Sequence, residues 1–139
     1  MLCSMRHHGQ FSAELSAVTV IHFTEDKINV PVMCLQCDEA SCVKVCSTKA
    51  LARGEDGVVV HDANRCVVCK FCVQACPLGM ISYAPSISGI IKCDTCEGAA
   101  LCATWCPTNA ISFGEPADDM DRKLSVAAGI KDGRGAENT

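Results

Sequence analysis

Apolar positions along this chain fall in short runs separated by polar turns. Residues 18–23 (V-T-V-I-H-F) are β-branched and aromatic, which predicts a strand. Residues 25–29 are mostly polar and read as a connector. Further on, residues 49–52, the R-G-E-D-G at 53–57 and the V-V-V-H at 58–61 predict strand, turn and strand. Residues 81–84, a turn at 85–89 and Ile90-Ile91 repeat that arrangement, and residues 110–113 predict a last strand. Beyond Gly114 an acidic stretch (115–121), a short amphipathic helix (122–128) and a small, polar end (129–139) predict a frayed tail, suited to docking on a partner.

Cysteines occupy the intervals between these strands. Residues 65–77 read R-C-V-V-C-K-F-C-V-Q-A-C-P, so Cys66, Cys69, Cys72 and Cys76 have the C-x2-C-x2-C-x3-C-P spacing of a bacterial [4Fe–4S] block. Three thiolates three residues apart wrap one cuboidal cluster while backbone N–H groups face its sulfides. Pro77 disfavours helix at Cys76, so a helix through Cys72 ends there. In two-cluster ferredoxins the fourth cysteine of such a block ligates the other cluster, so this block demands a partner elsewhere. Cys34, Cys37, Cys42 and Cys46 form a second block with gaps of two, four and three. Cys93, Cys96, Cys102 and Cys106 form a third with gaps of two, five and three, closed by Pro107. The common last gap and the period of roughly thirty residues mark an internal repeat. Each unit is strand, cysteine loop, one or two helical turns and strand, which makes the fold class α+β with short antiparallel hairpins and short helices.

Composition sharpens the picture. The apolar fraction of 49% includes thirteen cysteines, so ordinary apolar content is nearer ~40%. With one Trp, one Tyr and four Phe, metal binding has to supply part of the folding energy, and the apoprotein is expected to be poorly folded. A disulfide scaffold fits poorly: the cysteine count is odd, and residues 1–10 are polar with no secretory signal. No apolar run approaches the ~20 residues of a membrane span. Net charge −4 and a pI near 5.5, without a basic run, argue against nucleic acid as partner.

Zinc is the main competitor, since a four-cysteine zinc site needs only two C-x2-C pairs. It leaves unexplained the third cysteine in each loop, the constant last gap and the Cys-Pro endings. His7 and His8 read as solvated loop residues rather than iron ligands, and His22 and His61 as structural strand residues. Trp105 reads as a shield keeping water from a cluster, and Lys44, Lys70 and Lys92 as solvated residues flanking clusters. No Ser/His/Asp set, paired carboxylates or Gly-rich phosphate loop stands out, and G-R-G at 133–135 is too short to count.

With three blocks in view, and G-V-V-V-H-D-A-N-R-C at 57–66 between them, the chain resembles the ferredoxin-type multi-[4Fe–4S] electron-transfer subunits of molybdenum and tungsten oxidoreductases. The group includes aldehyde oxidoreductase-associated subunits and the iron–sulfur subunits of dimethyl-sulfoxide reductase and formate dehydrogenase. The resemblance runs from about Cys3 to Phe113. It implies bacterial ferredoxin-like repeats packed around [4Fe–4S] clusters, in four blocks, the second pairing with the third and the first with the fourth. The three complete blocks match the second to fourth. Cys3, followed by S-M-R-H-H-G-Q-F, resembles the last cysteine of a first block whose other three are absent. Ser47 replaces the proline expected after Cys46.

The resemblance then implies three ligand sets: Cys34, Cys37, Cys42 and Cys76; Cys66, Cys69, Cys72 and Cys46; Cys93, Cys96, Cys102 and Cys3. Cys106 is left over, its family role being to close the missing cluster, and it competes with Cys3 as the twelfth ligand. The expected organisation is an N-terminal strand segment with the remnant of a first block (1–30), two interlocked ferredoxin-like modules (31–114) and the tail (115–139). The implied function is single-electron relay, without catalysis of its own, in bacterial or archaeal cytoplasm or at a membrane through partners. Implied partners are a catalytic molybdenum/tungsten or hydrogenase-type subunit and a flavin- or quinone-linked subunit. Alternatives are a structural or assembly module stabilised by clusters or zinc, and a truncated, inactive relay.

Overall fold

In the computed structural model, which describes residues 1–114, secondary structure is confined to short pieces laid out between the cysteines. The expectations for residues 115–139 lie outside the described residues. Three two-stranded antiparallel hairpins follow one another: β1 (Thr19–Phe23) with β2 (Ile28–Val32), β3 (Leu51–Arg53) with β4 (Val59–His61), and β5 (Ser82–Ala84) with β6 (Gly89–Ile91). Four helices accompany them: α1 (Leu2–His8), α2 (Ser41–Lys44), α3 (Phe71–Ala75) and α4 (Leu101–Thr104). The fold is α+β, as the sequence predicts.

The second and third hairpins lie where the Gly-, Asp- and Pro-bearing turns predict them. Leu51 pairs with His61 and Arg53 with Val59, while Ser82 pairs with Ile91 and Ala84 with Gly89. The first hairpin is longer than the sequence reading. Ile28–Val32 is a strand, not an extension of the polar connector, and it runs across the expected boundary at residue 30. Its partner β1 is exposed along its whole length.

Two further differences have physical reasons. Residues 2–8 carry no β-branched side chain and are closed by Gly9 at φ 67°, whose N–H caps the Met5 carbonyl at 3.0 Å, so they form a helix where a loop was expected. Residues 110–113 form no strand. The strands here pair two by two with a chain neighbour, and among the described residues no strand follows β6.

The core is small. Ala40, Leu51, Val59, Cys72, Ile81 and Ile90 form its centre, with Cys42, Cys46, Cys66 and Cys76 packed against it. Leu15, Ala84 and Ile91 form a second patch. Leu15, Val59 and Ser4 are the largest fully buried side chains, so the cysteine sulfurs themselves are part of the interior wall. α2 packs on α3, and α1 packs on α4. Among the described residues no helix is long and apolar enough to cross a membrane.

Candidate metal centres

Each block builds its cysteines the same way. The first two cysteines stand in a loop after a strand, the third is the second residue of a short helix, and the fourth follows that helix. α3 stops at Ala75 and Cys76 is extended (φ −76°, ψ 112°), as Pro77 dictates. Gln36, Val68 and Thr95, each just before the second cysteine, adopt left-handed φ of 51°, 54° and 60°. A β-branched valine there is strained, and such strain persists where the surroundings impose it. In the third block the Thr95 N–H reaches the Cys93 sulfur at 3.4 Å, as in an anion-binding nest.

The fourth cysteines share a second device. Lys49, Gly79 and Asn109, three residues after Cys46, Cys76 and Cys106, are all left-handed, and their N–H groups return to those cysteines' carbonyls at 3.1, 3.1 and 3.2 Å. The turn is the same with Ser47 as with Pro77 or Pro107. Burial pushes the Cys46 thiol up, but the N–H groups of Leu51, Ala50 and Thr48 and the Thr48 hydroxyl (3.7 Å) outweigh it and leave it below its ordinary value. The Thr108 hydroxyl (3.6 Å), against slight desolvation, joins the N–H groups of Ile111, Thr108 and Ala110 to pull Cys106 down to about 7. At Cys76 the Met80 N–H reaches the sulfur at 3.3 Å. These sulfurs sit where negative charge is welcomed.

The cysteines then converge across blocks. Cys34, Cys37 and Cys42 line one cavity together with Cys76, between Val59, Ile81, Leu78 and Lys92. Cys66, Cys69 and Cys72 line another together with Cys46, between Leu51, Ile90, Val67 and His61. In the third block, burial raises Cys96 and Cys102, and the charge of Cys3, brought in by α1, raises both further. Cys106 also bears on Cys102, one helical turn away. Burial, with Cys34 and Cys102 adding to it against the Thr95 N–H and Lys92, pushes Cys93 up to about 11. Cys34 and Cys93 are therefore electrostatic neighbours, which sets the first cavity beside the third group. All thirteen thiols are free of disulfides; Cys72 and Cys96 are buried and Cys37 and Cys69 exposed.

Residues 26–116 match the family described as the 4Fe-4S dicluster domain. This chain is a member of that family. It is 35% identical over 105 residues to the probable anaerobic dimethyl sulfoxide reductase chain YnfG of Escherichia coli, which covers 71% of this chain and 51% of that protein. It is 39% identical over 92 residues to the thiosulfate reductase electron transfer subunit PhsB of Salmonella typhi (61% of this chain, 48% of that protein). With the polyferredoxin-like subunit of the aliphatic sulfonate oxidoreductase of Pyrococcus furiosus it shares 38% identity over 106 residues (75% and 60%). The chain thus spans about half the length of the curated relatives it matches. The resemblance drawn from the cysteine blocks is borne out at the level of the family.

[4Fe–4S] clusters are the cofactor class of a dicluster-domain chain, and the residues present fit them. Each cavity gathers four cysteines from two blocks, the ligand chemistry such a cluster requires, with N–H groups directed at sulfur and walls otherwise mostly apolar.

Several residues behave differently from the sequence reading. His7 lies on α1, not in a loop; its Nε2 is 3.6 Å from the Cys96 sulfur and 3.4 Å from Asp94 Oδ1, while Arg6 reaches Glu97 at 3.3 Å. Trp105 caps the end of α4 and is 69% exposed. Lys44 remains a surface residue paired with Glu39. Lys70 instead lies 3.6 Å over the Tyr83 ring. Lys92 is tied down by three oxygens: Val59 O at 2.6 Å, Cys93 O at 2.7 Å and Gln36 Oε1 at 3.2 Å. Gln36 also accepts from the Val59 N–H (3.0 Å) and donates to Cys93 O (2.9 Å), so this pair joins the first cysteine loop to the third. The threonines were legible as the repeat C-x-T at 46–48 and 106–108; the Gln36–Lys92 link had no local signal.

Proposed function

We propose that this chain is an iron–sulfur electron-transfer subunit that relays single electrons through [4Fe–4S] clusters to or from a catalytic oxidoreductase subunit. The observation that carries the reading is the crossed lining of the two cavities, each with three cysteines of one block and the fourth of the other. It supports a first centre on Cys34, Cys37, Cys42 and Cys76 and a second on Cys66, Cys69, Cys72 and Cys46. A third, on Cys93, Cys96, Cys102 and Cys3, is supported by the position of α1 against α4, with Cys106 outside the set. When bound, each cluster supplies one-electron redox chemistry.

What the chain contributes is placement and environment. The α2–α3 contact sets the first two centres side by side, and the Gln36–Lys92 pair sets the first beside the third. These contacts support a wire in the order second, first, third. Leu35 and Leu78 line the first cavity yet are 67% and 48% exposed, so a thin apolar cover faces outward there. Electrons reach a docked partner through such a cover. With clusters adding about −2 each, the formal charge falls from −4 to about −10, favouring partners with basic faces.

The relatives' names support the partner class, PhsB of Salmonella typhi being named an electron transfer subunit of a thiosulfate reductase. A molybdenum- or tungsten-containing catalytic subunit is the partner this reading selects, with a flavin- or quinone-linked subunit at the other end. Thirteen free thiols suit the reducing bacterial or archaeal cytoplasm. The test is anaerobic titration with dithionite. Brown protein that bleaches reversibly and gains S = 1/2 signals is expected; clusters that never reduce, or zinc in their place, would overturn the relay.

A further inference from the structure

One buried polar atom has no partner. His61 Nε2 is buried and hydrogen-bonds to nothing, the one such side-chain atom among the described residues. Buried donors and acceptors in folded proteins are paired, so an orphan points to a partner that the polypeptide itself does not supply. His61 ends β4 opposite Leu51 and lines the cavity of Cys46, Cys66, Cys69 and Cys72. Apart from Thr48 and Lys70, the rest of that wall is apolar, with Val45, Ala50, Leu51, Val67 and Ile90. A water held there would find few of the two to four polar partners it needs. Sulfur is the acceptor that fits, from a thiolate or from a sulfide held by the four cysteines.

We propose that His61 donates its Nε2–H to a sulfur of the second [4Fe–4S] centre and raises the reduction potential of that centre. The proposal rests on the reading that Cys46, Cys66, Cys69 and Cys72 hold a cluster. A neutral imidazole that carries its proton on Nε2 has the donor this bond requires. A donated hydrogen bond withdraws charge from sulfur and favours the reduced, more negative cluster, which is how bonds to sulfur tune these potentials. Lys70 and Thr48 line the same cavity, Lys70 over the Tyr83 ring and Thr48 against the Cys46 sulfur, and His61 Nε2 is the buried atom there without a partner. His61 is thus a positioning and tuning residue.

The test uses the full chain with its clusters, titrated by EPR-monitored potentiometry. Cys69→Ser first marks which signal belongs to the second centre; a variant retaining every signal would refute the ligand reading itself, separately from the role of His61. His61→Phe is then expected to keep the full iron content and to shift that one midpoint to lower potential, leaving the others in place. His61→Gln, which keeps a donor, should recover part of the shift. Unchanged midpoints in His61→Phe with iron intact would overturn the proposal, as would an equal shift of all centres. Should His61→Phe fail to load iron, protein grown with 15N-histidine and carrying His7→Asn provides the reading. Histidine nitrogen coupling to the second centre's reduced signal supports the bond, and its absence overturns it.

Discussion

Two cysteines with the same side chain have different fates here. Cys3 stands close enough to Cys96 and Cys102 for its charge to bear on both, whereas Cys106 sits in a nest of N–H groups beyond the end of α4. Cys3→Ser should therefore lower iron content by about a third, one cluster of three, while Cys106→Ser should leave it nearly unchanged. Equal iron loss from both would refute this assignment. Because its pKa is drawn down to about 7, Cys106 deprotonates early. Its alkylation by iodoacetamide in the loaded protein should rise through pH 7 and level off by about pH 8, instead of rising near the ordinary value of about 8.5. A profile centred near 8.5, read by peptide mass spectrometry, would contradict the nest. The three cysteine blocks were legible in the sequence because their spacing marks them. The left-handed positions were not: Gln36, Val68 and Thr95 have no intrinsic preference for positive φ, and the loop imposes it on them. His7 was misread because its bond partner is eighty-nine residues away.

At the level of elements, two of three hairpins could be read from turn residues, since Gly, Asp and Pro mark a chain reversal locally. β2 (I-N-V-P-V) escaped because Asn29 and Pro31 break the apolar run; a proline is tolerated there because each strand of a two-stranded sheet is an edge. α1 escaped for want of an apolar period in seven residues, and the strand expected at 110–113 has no partner. What joins these elements is polar. Among the described residues no carboxylate pairs with Lys92, whose ammonium instead ties β4, the first cysteine loop and the third. Lys92→Met removes the donor that Val59 O, Cys93 O and Gln36 Oε1 share and should cost ~1–3 kcal/mol. The cost should appear as a lower midpoint for thermal loss of the visible cluster absorbance. Lys92→Met melting like the unsubstituted protein would reduce the link to a solvated contact.

For the whole molecule, the poverty of the apolar core is the governing fact. Among the described residues only twelve apolar ones are buried, two of them cysteines, so on the proposed reading centres held between blocks are the staples of the fold. Stripping the iron anaerobically with a chelator should abolish most far-UV dichroism and expand the chain, as measured by CD and light scattering. A compact, folded apoprotein would show that packing alone suffices. Loading works against buried thiols whose pKa values are raised, Cys93 to about 11, so binding iron releases protons and should strengthen as pH rises.

On the proposed reading the block at 66–76 is half of an interlocked pair, exchanging Cys76 for Cys46. The most direct measurement compares the reduced EPR spectra of three single variants, Cys76→Ser, Cys37→Ser and Cys69→Ser. Crossed ligation predicts that Cys76→Ser loses the same signal as Cys37→Ser, in the other block, and keeps the one lost in Cys69→Ser. A Cys76→Ser spectrum that matches Cys69→Ser, its own block, would contradict it.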